Sequence, residues 1–389
     1  MDYRARASMV HAARALYALN WMDMAPALVY IKADMDLTVV ELGMLVTAFY
    51  LGIAIFQVLG GYLSSVIGDK TTSLIGLLFV SIFAITSGLS INFSELIVSR
   101  FLAGLSAALF FSPALSLLAS IVPEGKYTFH IGIYNGAFNV GAGIGVIGWA
   151  ILDLYFGYRL PFIIAGIVTM ALFFVLVLLF KDIKNVKTER ADIFRSFKKV
   201  FTSKLIILIA FIGIGSMVAE TIIGQFLVYY LESINYTSTL AGSISSLYLV
   251  IGFFGGIIGG YHFSHTVHKI GTFLAINIAV SVSLIFIPFL HSIIFLVIFA
   301  IAVGMMTVYG FSITYTFIRY LSRRDLVSLT LSFANTVQLL VAVAVPVIFT
   351  LLVSDYNYTV AWIALGIIGL VFIPLIFAVK DNIKRAIPS

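Results

Sequence analysis

Twelve apolar stretches separated by short polar segments run along this chain of 389 residues. Each is long enough for the roughly 20 helical residues that cross a bilayer core. Lipid offers backbone groups no water, so each stretch must satisfy its own hydrogen bonds and is predicted to be helical. The alternation of polar and apolar residues expected of a barrel is absent. The predicted spans, numbered 1 to 12, are 12–31, 42–63, 71–90, 95–121, 128–152, 158–180, 204–231, 240–261, 271–290, 292–320, 327–352 and 359–379.

The few charges indicate how these spans are oriented. Hydrophobic residues make up 61% of the chain and charged residues 10%. An even number of spans places both termini on one face, and all but three of the 23 basic residues then lie there, the exceptions being Lys32, Arg100 and Arg159. Basic loops face the cytoplasm, so we expect cytoplasmic termini in a multi-pass protein of the cell membrane. The net charge of +6 is therefore a topology signal, and no nucleic-acid partner is expected.

The chain also matches itself at an offset of about 200 residues. Gly60–Tyr62 has the same sequence as Gly259–Tyr261, and with one inserted residue Asn135 aligns with Asn335. The offset covers six spans, so the two halves have the same orientation in the membrane. We therefore predict an all-α membrane protein with two pseudo-symmetric six-helix bundles.

The predicted domains are an N-terminal bundle at 1–180, a cytoplasmic linker at 181–203 and a C-terminal bundle at 204–389. Apolar residues of the linker recur at helical spacing, whereas basic residues occupy its other faces. This pattern favours a helix lying on the anionic membrane surface over a solvated linker. The apolar residues are Ile193, Phe194, Phe197 and Phe201.

The loop between spans 2 and 3 contains Gly61, Gly68 and Lys70 at the spacing of a known motif. In this respect the chain resembles the major facilitator superfamily (MFS), whose signature lies between these two spans. Arg100–Gly104 in span 4 is similar to its arginine-containing motif, and Gly157–Phe162 to its pattern at the start of span 6. The resemblance covers essentially the whole chain. It implies a secondary transporter whose two bundles rock about a site near the middle of the membrane.

The chain also departs from the family pattern. Ser65 stands at the signature's aspartate position, and Val66 and Asp69 stand at basic positions. Glycines in span 5 are similar to an antiporter motif but lack its proline. We interpret them as sites of close helix packing. They are Gly141, Gly143, Gly145 and Gly148.

Away from the helix ends, Asp23, Arg100 and Glu220 are the ionisable residues in the predicted hydrocarbon zone. A charge there costs about 3 kcal/mol, so each must face protein or a water-filled cavity. Asp23 belongs to a polar stripe at helical spacing in span 1. The stripe consists of Tyr17, Asn20, Asp23, Ala27 and Tyr30.

Asp23 lies about 12 Å and Arg100 about 8 Å from the predicted outer ends of their spans, so the two are expected to pair. Protonation of Asp23 would weaken the pair, and burial would raise the pKa of Asp23 toward physiological pH. The alternative is a permanent salt bridge that only orients spans 1 and 4. Glu220 has three candidate roles: binding a cationic group, binding the proton, or donating a hydrogen bond to another helix.

Further polar residues form a candidate substrate site. Buried amides need partners, which neighbouring helices or a polar solute supply. We predict substrate contacts for Tyr17, Asn20, Asp23, Asn135, Asn139, Glu220, Gln225, Tyr309, Asn335 and Gln338. Predicted gating residues near the cytoplasmic loops are Gly61, Gly68, Asp69, Lys70, His262, His265 and His268.

No enzyme, metal site or cofactor is expected. The three histidines lack a neighbouring carboxylate, cysteine is absent, and no phosphate-cradling loop or nucleophile elbow occurs. We therefore expect a monomeric secondary transporter of a small organic solute, with protons as coupling ion and the bilayer as surroundings. Two carboxylates against one arginine favour a neutral or cationic amphipathic compound, exported from the cell. The alternatives are uptake of a sugar, peptide or other polar metabolite, and a non-transporting receptor or scaffold of the same fold.

Overall fold

The structure, a computed structural model, describes residues 2–123, 126–183, 203–322 and 327–386. Helices form nearly all of these residues, and no strand occurs among them. Eleven of the described helices are long and apolar enough to cross a membrane. Most of the predicted surface helix at 181–203 lies outside the described residues.

The helices follow the predicted spans closely. They are α1 (Tyr3–Trp21), α2 (Met24–Met35), α3 (Val39–Ile67), α4 (Asp69–Leu89), α5 (Phe93–Ile121), α6 (Tyr127–Phe156), α7 (Arg159–Leu179), α8 (Lys204–Ile212), α9 (Ile214–Ser233), α10 (Ser238–His265), α11 (Lys269–Phe286), α12 (Ile293–Leu321), α13 (Val327–Asp355), α14 (Tyr358–Val371) and α15 (Ile376–Ala386). Short 3₁₀ turns follow α11 and α14.

The described residues form two compact units. The first contains those of 1–190 together with Gln225–Leu249, and the second contains those of 191–224 and 250–389. Helices α9 and α10 are each divided between the units. The domain boundaries 1–180, 181–203 and 204–389 remain a prediction.

Span 1 consists of two helices with a break shortly before Pro26. Helix α1 ends at Trp21, and α2 begins at Met24. Pro26 has no N–H, and its ring would collide with the carbonyl of Met22, four residues earlier, in an unbroken helix. The Met22 carbonyl instead accepts a hydrogen bond from the Ala25 amide, three residues later, at 3.3 Å. Span 7 is similarly divided at Gly213, between α8 and α9.

Close helix contacts in the first unit depend on glycine. A Cβ atom on Gly141 of α6 would lie 2.2 Å from the Ala15 carbonyl oxygen of α1. One on Gly104 of α5 would lie 2.0 Å from the Phe49 carbonyl oxygen of α3. Small residues let helix backbones approach this closely where lipid provides no hydrophobic driving force.

Replacement of Gly141 by alanine should therefore destabilise the first unit. The added methyl group meets backbone that cannot rotate away, and such overpacking costs about 1–3 kcal/mol. We expect a lower melting temperature for the purified Gly141→Ala variant in detergent. The matched control is Gly148→Ala on the same helix, because a Cβ atom there meets nothing within 4 Å. Equal melting temperatures for the two variants would contradict the packing role of Gly141.

Candidate functional site

The break between α1 and α2 holds Asp23 within the first unit. Carbonyls in the last turn of α1 have no partner in a continuing helix, and side chains from other helices bind them instead. Trp149 Nε1 donates to the Leu19 carbonyl at 3.2 Å, and Gln225 Nε2 donates to the Trp21 carbonyl at 3.4 Å. The break is thus fixed by α6 and α9, and Asp23 stands at the N-cap position of α2.

Asp23 and Arg100 form a buried ion pair. Arg100 Nη1 donates to Asp23 Oδ1 at 2.8 Å, and both residues are only 2% exposed. Ser87 of α4 accepts from Nε and Nη2 of the same guanidinium, at 3.1 and 3.0 Å. The Phe162 ring lies 5.0 Å from the guanidinium carbon. Arg100 therefore links the helix break to α4 and α7.

The second oxygen of Asp23 is free to accept a proton or a hydrogen bond. Oδ2 is buried and has no hydrogen-bond partner among the described residues. Beside the ion pair lies a cavity of about 10 Å³, which is close to the space that a single water needs. Its walls are Tyr17, Asn20, Trp21, Phe49, Val80, Ala84, Arg100, Ala103 and Ala107.

Sequence reasoning missed a further buried carboxyl group, that of Asp153. It is 1% exposed, and neither of its oxygens has a hydrogen-bond partner in the described structure. Asp23 and Glu232 are the charged groups that act on it electrostatically. The predicted end of span 5 at residue 152 placed Asp153 at the membrane surface, but α6 continues to Phe156. An apolar run that continues past the aspartate was the available signal.

The burial of Arg14 was also not evident from the sequence. Arg14 was expected toward the cytoplasmic face, and its side chain is only 7% exposed. The guanidinium lies among aromatic rings of α1, α5 and α6 and takes part in none of the ion pairs between described residues. The count of two carboxylates against one arginine therefore omitted one buried acid and one buried base.

A second polar cluster lies in the other unit. The Tyr315 hydroxyl donates to Asn335 Oδ1 at 2.8 Å and is 3.3 Å from Gln338 Oε1. Gln338 Nε2 in turn donates to the Ala210 carbonyl at 3.2 Å, close to the break in span 7. Glu220 is half-buried and acts electrostatically on Tyr315. The predicted residues Glu220, Asn335 and Gln338 thus meet around a tyrosine that was not predicted.

Other predicted substrate residues have different surroundings. Asn20 Nδ2 donates to Thr169 Oγ1 at 2.8 Å, so part of this amide joins α1 to α7. Asn135 is exposed on α6, and Asn139 Nδ2 lies 3.4 Å from its carbonyl oxygen. The Tyr309 hydroxyl lies 2.6 Å from His262 Nδ1, which brings together a predicted substrate residue and a predicted gating residue.

The remaining gating candidates lie at helix ends. Asp69 accepts hydrogen bonds from Ser64 and Ser116, so it ties the end of α3 to α5. Lys70 Nζ donates to the Ile183 carbonyl at 2.6 Å and to the Phe180 carbonyl at 3.3 Å. Gly68, at φ +93°, turns the chain between α3 and α4, a conformation that favours glycine.

The other gating candidates are more exposed. His265 Nδ1 lies 2.9 Å from the Tyr261 carbonyl oxygen, and both His265 and His268 are exposed, as is Gly61. Within the described residues, no group of three or more histidine or acidic side chains is placed to hold a metal ion.

Near the end of α2, Asp34 binds two neighbours. Arg159 Nη2 and the Tyr158 hydroxyl each donate to Asp34 Oδ2 at 2.8 Å. The Arg159 guanidinium, followed by the Tyr158 hydroxyl, lowers the pKa of Asp34. This exposed pair differs from the buried pair at Asp23 because water reaches both of its partners.

Comparisons with known proteins agree with this architecture. The family model described as Major Facilitator Superfamily matches residues 10–269. The quinolone resistance protein NorA of Staphylococcus aureus strain MSSA476 is 29% identical over 245 residues, 60% of this chain and 60% of that protein. The chain thus matches about 60% of the length of this curated relative.

Solved structures share the fold along the whole chain. A bacterial homologue of the human lysosomal transporter Spinster, inward-facing and unoccupied, matches 100% of this chain and 99% of its own at a TM-score of 0.82 and 14% identity. A D-xylose-proton symporter matches 100% and 98% at a TM-score of 0.75 and 13% identity. The predicted twelve-helix fold is confirmed. The chain belongs to the Major Facilitator Superfamily and is a multi-pass membrane protein.

Proposed function

We propose that the protein exports an amphipathic organic compound and that protons bound at Asp23 drive this export. The buried ion pair at the helix break carries the proposal. Arg100 binds one oxygen of Asp23, and the other oxygen has no partner in the part of the chain that the structure describes. A cavity with space for about one water lies beside the pair. The staphylococcal relative is named a quinolone resistance protein, and this name supports export.

The physical step is the loss of one charge from the pair. When Asp23 takes up a proton on Oδ2, its attraction for Arg100 weakens, because a neutral acid only accepts a hydrogen bond from the guanidinium. Arg100 keeps its bonds to Ser87 and its contact with Phe162. The helix break is then free to change its geometry while the rest of α5 remains fixed. Proton uptake is thereby coupled to the conformation of α1 and α2.

We propose candidate solute contacts in each of the two compact units. In the first unit, Tyr17 and Asn20 line the cavity beside the ion pair. In the second, Glu220 with Asn335 and Gln338 offers a carboxylate and two amides around Tyr315. The acids favour a neutral or cationic group, and the aromatic walls favour an amphipathic one.

Uptake of a polar metabolite is the second candidate. The cluster of Tyr315, Asn335 and Gln338 favours it, because hydroxyl and amide groups recognise polar solutes by hydrogen bonds. A receptor or scaffold on the same fold is the third. Purified protein in liposomes separates the three, because a scaffold moves no solute and import and export differ in direction.

Replacement of Asp23 by asparagine should uncouple transport from protons. The amide keeps the size of the carboxyl group but takes up no proton at neutral pH. With an internal pH dye in liposomes, solute-driven proton movement by the Asp23→Asn variant should fall to that of empty liposomes. The control is Asp34→Asn on the same helix, which removes an exposed acid and should leave proton movement intact. Proton movement by a correctly assembled Asp23→Asn variant would refute the coupling.

The two buried acids of the first unit should respond differently to the same substitution. Asp23→Asn leaves Arg100 without its counter-charge, and breaking a buried pair costs about 3–5 kcal/mol. Among the described residues, Asp153 has no hydrogen-bond partner to lose, so Asp153→Asn should be neutral or stabilising. Melting temperatures of the two purified variants should differ by several degrees. If Asp153→Asn destabilises as strongly as Asp23→Asn, Asp153 is not the unpartnered acid that we describe.

A further inference from the structure

The first unit contains two buried guanidinium groups with different surroundings. Arg100 has a carboxylate and a hydroxyl as acceptors. Arg14 is instead surrounded by aromatic rings. Its guanidinium carbon lies 4.5 Å from the ring centroid of Phe138, 4.7 Å from those of Tyr17 and Phe111, and 5.1 Å from that of Tyr134. We call these four rings and Arg14 the arginine box.

The rings satisfy only part of what a buried guanidinium requires. Aromatic faces attract the positive charge, but they offer no acceptor to N–H groups pointing along the guanidinium plane. Tyr17 interacts with the guanidinium through its hydroxyl. Arg14 Nε and Nη1 are buried and have no hydrogen-bond partner among the described residues. The arginine box therefore combines an unneutralised positive charge with two unused donors.

A buried guanidinium without a counter-charge is stabilised by an anion. The described neighbours do not supply one. One turn earlier in α1, His11 Nε2 lies 3.0 Å from His130 Nδ1, and the two rings stack with an interplanar angle of 8°. Beyond them, Lys126 Nζ donates to the Tyr3 hydroxyl at 3.0 Å. These neighbours are neutral or basic, so they leave the Arg14 charge unbalanced.

The arginine box also adjoins the cavity of the candidate site. Tyr17 is part of both, and its ring stacks on Phe110 with centroids 5.2 Å apart. A solute reaching the cavity thus meets the arginine box one helical turn away on α1. The cavity is far smaller than any organic solute, so binding requires these side chains to move apart.

We propose that Arg14 binds the carboxylate of an aromatic solute. A carboxylate is planar and accepts two N–H bonds from one guanidinium. The rings of the arginine box match a flat apolar group attached to that carboxylate. A phosphate or other polyanion is disfavoured, because a single guanidinium provides the positive charge. The inference rests on the proposed transport of amphipathic compounds. It replaces the neutral or cationic group that Asp23 and Glu220 favour by an acidic group, because the charge of Arg14 was not included in that comparison.

Three probes with the same ring system test the charge preference. They are naphthoate, naphthamide and naphthylmethylammonium, which are anionic, neutral and cationic. Binding is measured by calorimetry and by the rise in melting temperature of the purified full-length protein, without a pH gradient. We expect naphthoate to bind at least about tenfold more tightly than the other two. Equal binding of naphthoate and naphthamide, or preference for the cation, would overturn the proposal.

Variants then locate the binding. Arg14→Gln should weaken naphthoate binding about tenfold or more and leave naphthamide binding unchanged. Arg14→Lys keeps the charge but loses the two-pronged geometry, so it should also weaken naphthoate binding. The control is Arg4→Gln, which removes an exposed positive charge from the same helix. If Arg14→Gln does not fold, the comparison of probes on the wild-type protein and on Arg14→Lys still tests whether Arg14 binds the carboxylate.

The result is independent of proton coupling. Failure of Asp23→Asn to alter proton movement would refute the coupling mechanism but would not change equilibrium binding of naphthoate. Conversely, a protein that exports solute with protons but binds the three probes alike retains the proposed function and loses the role of Arg14.

Discussion

The ion pair between Asp23 and Arg100 is the interaction on which the geometry of the candidate site depends. Two charges taken from water into a membrane protein are tolerated only when each is the partner of the other and the remaining donors are satisfied. Arg100 meets this condition through Ser87, and Asp23 meets it only in part, because none of the described residues bonds to its Oδ2. The unsatisfied atom lies on the acid, which is the partner that can change its charge.

The helix break gives that change of charge a mechanical consequence. An aspartate within a regular helix would alter only its own side-chain contacts. Asp23 instead begins α2, and the carbonyls just before it are bound by Trp149 and Gln225 rather than by the helix itself. Pro26 prevents the helix from closing the gap. Because several weak side-chain bonds hold this junction, a loss of attraction at Asp23 acts on a segment that has few backbone bonds to resist it.

Hydropathy predicted the helical fold well because the requirement that lipid imposes on each span is local. A span must be long, apolar and internally hydrogen-bonded, and all three properties are visible in a window of sequence. Asp23, Arg100 and Glu220 were found for the same reason, since a charge in an apolar run is conspicuous. The break at Met22 was only hinted at by Pro26, because the sequence does not show whether neighbouring helices will bind the freed carbonyls.

The residues that the sequence did not reveal are those whose surroundings depend on their depth in the membrane or on partners far away along the chain. Asp153 and Arg14 lie near the ends of their spans, where one further helical turn decides between water and burial. Tyr315 was overlooked because its partners Asn335 and Gln338 lie 20 and 23 residues away on another helix. Hydrogen bonds across helices leave no periodic trace in the sequence, so they are visible only in the folded chain.

The two buried arginines suggest how charge is distributed in the first unit. Arg100 is neutralised by an acid of the same chain, whereas Arg14 is surrounded by rings that stabilise its charge without cancelling it. When Asp23, Arg14 and Arg100 are all ionised, their buried charges sum to one positive charge. Protonation of Asp23 raises that sum to two. An anionic group bound at Arg14 would cancel one of these positive charges in either protonation state of Asp23, and this electrostatic gain is the physical reason to place such a group there.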